Sequence, residues 1–332
     1  MGRCFFFVDP RPFLDFVMGG GGTDGDGDWA VLPFPPRLAD VTLALVGKIG
    51  SGKSATANSI LGDDAFESKD SYRAVTGTCQ KRSREFHDGR ATRTVNVIDT
   101  PGLFDMDSTA EHVQKEIAKC MDMAKDGLDA MLMVFSAQSR FSSEDEKAIE
   151  SIKLFFGNEV LDHMILVFTH GDVVGGESSW NKKLTDSAPA YLQDMVNLFA
   201  NRVVLFDNNT SDMRQRESQL KKLFCAVDFV ISRNHGRAFC NQMFTQIKEM
   251  HPVSMSNKEI YDDYLKQISK MVEEKLNSTI ARLENQLHEE QKARQAVENN
   301  LREEIRVLKD RLKKAEEEAE EEAKPGSSCI IL

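Results

Sequence analysis

The run from Gly47 to Ser54 reads G-K-I-G-S-G-K-S. It directly follows an apolar run and precedes a segment with helical character. Glycines let such a loop curl until successive backbone N–H groups face a phosphate, and the helix N-terminus adds partial positive charge. The run therefore predicts a phosphate-binding loop, with these candidate nucleotide contacts: Gly47, Lys48, Ile49, Gly50, Ser51, Gly52, Lys53, Ser54 and Ala55.

Two side chains of this loop have specific predicted roles. The Lys53 ammonium should reach the β- and γ-phosphates, and the Ser54 hydroxyl should ligate Mg²⁺. Further along, Asp99-Thr100-Pro101-Gly102 ends an apolar run. An acid at that position can hold the Mg²⁺ shell and the following glycine N–H can sense a γ-phosphate, so Asp99 and Gly102 join the candidate site.

A threonine between these two elements is expected to close over Mg²⁺ and the γ-phosphate. The segment Ser68–Gln80 offers Thr76 for this role, with Thr78 as the alternative. Lys53 and Thr76 are therefore the candidates for stabilising the transition state, although the sequence makes no catalytic residue certain.

The element that would read the base is F-T-H-G-D, from Phe168 to Asp172. A carboxylate that accepts both N1–H and N2–H₂ selects guanine, because adenine offers no such donor pair. Asp172 is placed for that role, and His170 stands where a lid would cover the base. Asn208, or alternatively Asn209, follows the last apolar run and is expected to contact guanine O6 or N7.

Apolar runs alternate with helical segments from residue 41 onward, which predicts an α/β fold with a mostly parallel sheet flanked by helices. The predicted strands are Val41–Val46, Thr94–Ile98, Ala130–Phe135, Met164–Phe168 and Val203–Phe206. The predicted helices are Lys53–Leu61, Ala110–Ala124, Glu144–Phe155, Ala188–Phe199 and Glu217–Ile231. All the motifs fall at carboxyl ends of strands, where such sheets bind ligands.

Composition divides the chain into four predicted parts. Residues 1–39 are rich in Gly, Asp and Pro and are predicted to be disordered, with Met18 an alternative start. Residues 40–250 form the nucleotide-binding domain, and residues 256–323 form a long charged helix. Imperfect heptads leave two interpretations of that helix open: a solvated single helix, or a coiled coil or fold-back helix. Residues 324–332 are predicted to be flexible.

The last four residues, Cys329-Ile330-Ile331-Leu332, form a C-a-a-X box. A terminal leucine favours geranylgeranylation, so Cys329 is the candidate lipidation site and a peripheral membrane location on the cytosolic side is expected. A single prenyl chain gives only reversible membrane contact.

Charge and cysteine usage exclude other classes of function. The net charge of −11 provides no general attraction to nucleic acid. The six cysteines are scattered without a C-x-x-C pair, which argues against a disulfide framework or zinc site and fits a reducing compartment. The apolar runs are all shorter than a membrane-spanning helix requires.

Taken together, several segments resemble the immune-associated nucleotide-binding GTPases, which comprise the plant avirulence-induced proteins and the animal GIMAPs within the septin- and chloroplast-import-receptor-related P-loop group. The segments, which fall within residues 39–250, are G-K-I-G-S-G-K-S-A-T-A-N-S-I-L-G, V-T-G-T-C-Q, D-T-P-G-L-F-D, the box Asp129–Ser142, F-T-H-G-D and R-V-V-L-F-D-N. The resemblance implies a G domain, GTP and GDP binding, and nucleotide-dependent self-association as a homodimer or oligomer through the switch-side face of the G domain. The chain departs from the family pattern at His170, where the family has Asn-Lys or a lone basic residue before the aspartate. It also departs at Asn208-Asn209, where the family commonly has Asn-Lys.

Hydrolysis is expected to be slow. Leu103 occupies the position where small GTPases usually place a glutamine that orients water, and Ile49 occupies a loop position that is often glycine. The expected function is a slow GTPase that dimerises as a switch or scaffold at membranes, and a role in defence or stress signalling is implied only by the resemblance. The alternatives are a coiled-coil tether whose G domain binds nucleotide structurally, and a P-loop kinase or ATPase.

Overall fold

A computed structural model describes most of the chain beyond the N-terminal segment. The described residues are 40–69, 76–87, 92–103, 109–139, 141–186, 188, 190–252 and 258–322. The predictions for residues 1–39, including Met18, and for residues 324–332, including Cys329, lie outside them.

The described chain forms a sheet in the order β2-β3-β1-β4-β5-β6, in which β2 runs antiparallel to β3 and all other neighbours are parallel. The strands are β1 Val41–Val46, β2 Gln80–His87, β3 Thr92–Asp99, β4 Ala130–Ser136, β5 Met164–Thr169 and β6 Val203–Leu205. The predicted mostly parallel sheet is confirmed, with every predicted strand present within two residues at each end.

Strand β2 was not predicted. Its sequence, Q-K-R-S-R-E-F-H, is almost entirely polar, and it pairs on one side only, with β3. A search for apolar runs finds strands that are buried on both faces, whereas an edge strand with charged side chains lacks that pattern.

Helices cover the sheet on both faces, as predicted. The helices of the described chain are α1 Lys53–Leu61, α2 Ala110–Met123, α3 Ser143–Phe156, α4 Gly176–Asp186, α5 Ala190–Leu198, α6 Met213–Arg233, α7 Gln242–Met250 and α8 Lys258–Glu322, and a 3₁₀ helix spans Asn158–His163. Side chains of α1 and α6 pack in one core cluster with β1, β3, β4, β5 and β6. On the other face, α2, α3 and α7 meet β1 and β4 around a very small internal void. Helices α4 and α7 were not predicted, and α5 begins two residues later than expected.

The contacts divide the chain into two units, the first ending at Lys275. Within the first unit, the beginning of α8 packs against the domain, because Tyr264, Ile268 and Val272 are buried. The Tyr264 hydroxyl donates a hydrogen bond to Asp122 at the end of α2, at 2.9 Å.

The second unit contains the rest of α8, which continues as one helix to Glu322. Apolar side chains at heptad-like spacing are exposed along it: Ile280, Leu283, Leu287, Val297, Leu301, Ile305, Leu308 and Leu312. The predicted long C-terminal helix is confirmed. Among the described helices, none combines the length and apolarity needed to cross a membrane.

Candidate functional site

The phosphate-binding loop joins β1 to α1 at the carboxyl edge of the sheet. Its lysine, Lys53, is buried and donates hydrogen bonds to the carbonyl oxygens of Gly47 at 2.9 Å and Lys48 at 2.7 Å. Gly47 has a φ of 147°, and a Cβ at this position would lie 2.4 Å from the backbone oxygen of Val134. The loop therefore packs closely against β4 and encloses the ammonium group of Lys53.

Lys48, the second residue of the loop, is tied to the start of α3. Its ammonium lies 3.0 Å from Asp145 and donates to the Ser142 hydroxyl at 2.7 Å. Ser142 and Asp145 also form the capping box of α3. The sequence signals the capping box through its Ser-x-x-Asp spacing, but a cross-chain ion pair to the loop leaves no such local signal.

Three oxygen-bearing side chains predicted to hold Mg²⁺ converge beside the loop. The Ser54 hydroxyl donates to Asp99 Oδ2 at 2.6 Å and lies 2.9 Å from the Thr76 hydroxyl oxygen. Thr76 in turn lies 3.5 Å from the same carboxylate oxygen. Two hydroxyls and one carboxylate, completed by phosphate oxygens and water, are a donor set that suits Mg²⁺.

One oxygen of the Asp99 carboxylate is available to bind such an ion. Asp99 is 1% exposed, and its Oδ1 atom is buried with no hydrogen-bond partner among the described residues. Burial raises the pKa of this carboxyl, and hydrogen bonding from Ser54 and the charge of Lys53 oppose that rise only in part. A buried, unpartnered carboxylate oxygen is costly, and a bound cation would satisfy it.

Thr78, the alternative to Thr76, lies elsewhere. Its hydroxyl contacts the Glu116 carboxylate of α2 at 3.0 and 3.1 Å and accepts from Lys119 at 2.7 Å. Glu116 also accepts from the backbone N–H of Cys79 at 2.6 Å. The structure thus brings Thr76, and not Thr78, to Ser54 and Asp99. Sequence reasoning missed Glu116, because an acid within a helix carries no sign of its distant partner.

Gly102 and Leu103 are the last described residues of the segment that directly follows β3, and neither carries a polar side chain. Gly102 is buried, three residues beyond the end of the strand. The Leu103 side chain is 5% exposed and lines the small void on the opposite helix layer together with Ile117 and Met121.

The base-reading segment follows β5 and is joined to the phosphate loop, because the Thr169 hydroxyl donates to the Ser51 carbonyl oxygen at 2.8 Å. His170 adopts a φ of 61°, and its Nδ1 lies 3.0 Å from the Thr169 hydroxyl and 3.1 Å from that of Ser136. Asp172 is exposed in the turn and has no hydrogen bond or ion pair within the described part of the chain.

The second predicted base contact, Asn208, is engaged with α1. Its amide nitrogen donates to the Thr56 hydroxyl at 3.0 Å, and its amide oxygen accepts from Ser59 at 2.8 Å. Asn209 is exposed, and within the described residues only its backbone N–H is used, by Asp207. The two base-side loops are adjacent, since the Gly171 N–H donates to the Phe206 carbonyl oxygen at 2.9 Å.

Solved structures similar to this chain include Toc33 from Arabidopsis thaliana in complex with GDP and Mg²⁺, at 22% identity and a TM-score of 0.46 over 59% of this chain and 85% of that one. A second, of Toc33 with Mg²⁺ and GMPPNP, has 20% identity and a TM-score of 0.44 over 59% and 85%.

Curated relatives are more similar. Immune-associated nucleotide-binding protein 9 of Arabidopsis thaliana is 37% identical over 345 residues, covering 95% of this chain and 98% of the relative. Immune-associated nucleotide-binding protein 7 of the same plant is 34% identical over 256 residues, covering 70% and 81%. The family model described as AIG1 matches residues 41–259, and this chain therefore belongs to the AIG1 family.

Proposed function

We propose that this chain binds guanine nucleotides together with Mg²⁺ and hydrolyses GTP slowly. The observation that carries the proposal is the convergence of Ser54, Thr76 and Asp99 beside Lys53, with one buried oxygen of Asp99 left unpartnered in the described chain. The curated relatives, which are named as nucleotide-binding proteins, support it.

Each residue has a defined part in this proposal. When nucleotide binds, the Lys53 ammonium would give up its hydrogen bonds to the two loop carbonyl oxygens and donate to β- and γ-phosphate oxygens instead. Ser54 and Thr76 would offer their hydroxyl oxygens to the cation, and Asp99 would hold the cation's shell. When bound, Mg²⁺ neutralises charge that develops on the transferred phosphoryl group.

Guanine selectivity is assigned to Asp172. Its exposed carboxylate is available to accept the paired N1–H and N2–H₂ donors of guanine. His170 lies two residues before it and is fixed by Thr169 and Ser136, so the imidazole is the group that would cover the base. Because the amide of Asn208 is used by α1, exposed Asn209 is the more available side chain on the neighbouring loop.

Slow turnover follows from what surrounds the phosphate position. Leu103 is hydrocarbon and buried away from the phosphates, so it cannot orient water. Ile49 is 37% exposed on the loop, where it crowds any group approaching from outside. We therefore expect turnover in minutes or slower, far below the ~10² s⁻¹ reached by fast phosphoryl-transfer enzymes.

The experiment is calorimetry of the full chain with GTP, GDP and ATP in the presence of Mg²⁺. Asp172→Ala should weaken guanine-nucleotide binding at least ~10-fold, and the matched control Asp194→Ala, which removes another exposed carboxylate, should not. Equal affinity for ATP and GTP would contradict guanine selectivity and favour the P-loop kinase or ATPase alternative.

The finer part of the proposal is a nucleotide-dependent dimer, formed through the G domain, at a membrane. The exposed heptad side chains of α8 support pairing with a second copy, and Cys329 supplies a prenylation signal for the cytosolic face of a membrane. Gel filtration should give a larger particle with a non-hydrolysable GTP analogue than with GDP, and Cys329→Ser should move the protein from membrane to soluble fractions. The same particle size with both nucleotides would contradict nucleotide-dependent dimerisation.

The coiled-coil tether is the second candidate, and the same α8 side chains favour it. It predicts nucleotide binding without turnover. Single-turnover GTP hydrolysis that is lost in Lys53→Ala, but kept in the control Lys182→Ala at an exposed lysine, would exclude it.

A further inference from the structure

A cavity of about 340 Å³ lies beside the carboxyl ends of β4 and β5, between those strand ends and helices α3, α4 and α5. Four aromatic rings contribute to its wall: Phe135, Phe141, Phe168 and Trp180. The rings form a continuous series, with centroid distances of 5.3 Å for Phe135–Phe141, 5.6 Å for Phe135–Phe168 and 4.7 Å for Phe168–Trp180. Its volume falls within the range of small-molecule sites, roughly 300–1,000 Å³.

The chemistry of this aromatic cavity indicates the class of ligand. Aromatic walls favour a flat ring system that can stack or meet ring edges. The wall also includes Lys183. The indole Nε1 of Trp180 is buried without an acceptor among the described residues, although buried indole N–H groups usually find one. A ligand acid group would offer an acceptor to the indole, and the positive charge of Lys183 in the wall would favour a negatively charged ligand.

Among the described wall residues, a single carboxylate is present, and it does not prevent this. Asp145 lines the aromatic cavity, but its charge is paired with the Lys48 ammonium at 3.0 Å, and it also accepts from the Ser142 backbone N–H at 2.8 Å. Its charge is therefore largely neutralised within the protein.

Two wall residues are bonded directly to loops of the nucleotide site. Asp145 holds Lys48 of the phosphate loop, and Ser136 holds the imidazole of His170 in the base-reading segment. A ligand that displaces either wall side chain therefore changes a contact of a nucleotide loop.

We propose that the aromatic cavity binds a flat aromatic carboxylate and that its occupancy changes the rate of guanine-nucleotide release. The first half stands on the cavity alone, and the second half rests on the proposed guanine-nucleotide binding. The two halves are tested by separate measurements, so their failures are distinguishable.

The first measurement uses the fluorescence of Trp180 in the full chain. The sequence has two tryptophans, so Trp29→Phe leaves Trp180 as the sole indole. Titration with 2-naphthoate, without nucleotide, should quench it saturably with a Kd on the order of 0.1 mM. The uncharged analogue 2-naphthalenemethanol should bind about 10-fold more weakly, because it lacks the acid.

Variants that fill the aromatic cavity locate the binding. In the Trp29→Phe background, Ala188→Phe should weaken 2-naphthoate binding at least 10-fold, whereas Ala296→Phe on exposed α8 should leave it unchanged. Ala137→Leu, at a second wall position, provides the same test if Ala188→Phe does not fold. No saturable quenching at 1 mM ligand, or quenching that survives both filling variants, would overturn the proposal.

The second measurement follows release of bound radiolabelled GDP by filter binding. Saturating 2-naphthoate should change the release rate at least threefold in the wild-type chain and leave it unchanged in Ala188→Phe. Saturable quenching without any change in the GDP release rate would contradict the effect on nucleotide release but leave the proposed binding site in the cavity standing. A chain that does not bind GDP at all would instead count against the proposed function.

Discussion

The phosphate side and the base side of the candidate site are built differently. On the phosphate side, the loop residues bond to one another, as in the contacts of Lys53 with Gly47 and Lys48. On the base side, Asp172 is exposed, whereas the neighbouring Asn208 is held by side chains of α1 that are distant in sequence. A contiguous motif thus carries its own geometry, whereas a loop residue acquires its role from whatever packs beside it.

The largest expected effect contrasts two glycines of the phosphate loop. Gly47→Ala should destabilise the fold by about 3 kcal/mol or more, because its Cβ would meet the Val134 carbonyl oxygen and its φ of 147° disfavours a side chain. Gly50→Ala, where φ is 75° but the space is open, should cost only about 1 kcal/mol. Urea unfolding measures both, and equal losses would show that the contact with β4 is unimportant.

The next effect separates the two threonines. The gain in GTP affinity that Mg²⁺ produces should be roughly 10–100-fold smaller in Thr76→Ala than in wild type, since the substitution removes a hydroxyl beside Ser54 and Asp99. Thr78→Ala should leave the Mg²⁺ dependence close to wild type, because that hydroxyl is bonded to Glu116. Calorimetry over a Mg²⁺ series distinguishes them, and the reverse result would assign the metal position to Thr78.

A smaller effect concerns the two asparagines on the base side. Asn208→Ala should cost about 1–2 kcal/mol of stability even without nucleotide, because Thr56 and Ser59 lose their partner. Asn209→Ala should leave stability unchanged, because its side chain is exposed. Thermal unfolding of the nucleotide-free proteins gives the comparison. An Asn208→Ala variant that is fully stable but binds guanine poorly would return Asn208 to the base-reading role.

The smallest effect concerns pH. Burial raises the pKa of Asp99 above its ordinary value of 3.8 in the folded protein. The folded carboxyl therefore keeps its proton to a higher pH than the unfolded one. Its contribution to the free energy of unfolding is full below the unfolded pKa and is lost as pH rises through the folded pKa. Asp99→Asn should remove this loss and stabilise the nucleotide-free protein at pH 7 by about 0.5–1 kcal/mol, while abolishing Mg²⁺-dependent binding.

The check is urea unfolding in EDTA between pH 4 and pH 7. The difference between the two proteins should grow as pH rises, because only wild type ionises a buried carboxyl. A nucleotide-free Asp99→Asn protein that is less stable than wild type at pH 7 would contradict the account.

Much of the fold could be predicted because the buried strands and several helices are periodic in the sequence. Helix α1 and strand β1 were found with the observed bounds, since a central parallel strand is apolar throughout and a glycine-rich loop separates it from the helix. Strand β2 and helix α4 were missed because their sequences are mostly polar. Their structure depends on an available neighbour more than on local pattern.

The residues of the candidate site likewise fall into those that a local motif predicts and those that depend on distant contacts. Local sequence was sufficient to identify Lys53, Ser54 and Asp99, because each lies at a fixed place in a short motif next to a strand end. The choice of Thr76 over Thr78 could not be made from the sequence, because it depends on where Glu116 of α2 comes to lie.

The phosphate loop, the parallel sheet, the long C-terminal helix and the resemblance to the AIG1 family could all be predicted, since they depend on contiguous patterns of residues. Four features became visible only in the folded chain: which hydroxyl joins Asp99, that Asn208 supports α1, that Lys48 is anchored to α3, and that aromatic rings from separate segments enclose a cavity. Each of these depends on side chains far apart in the chain, whose distances are fixed only when the helices pack against the sheet.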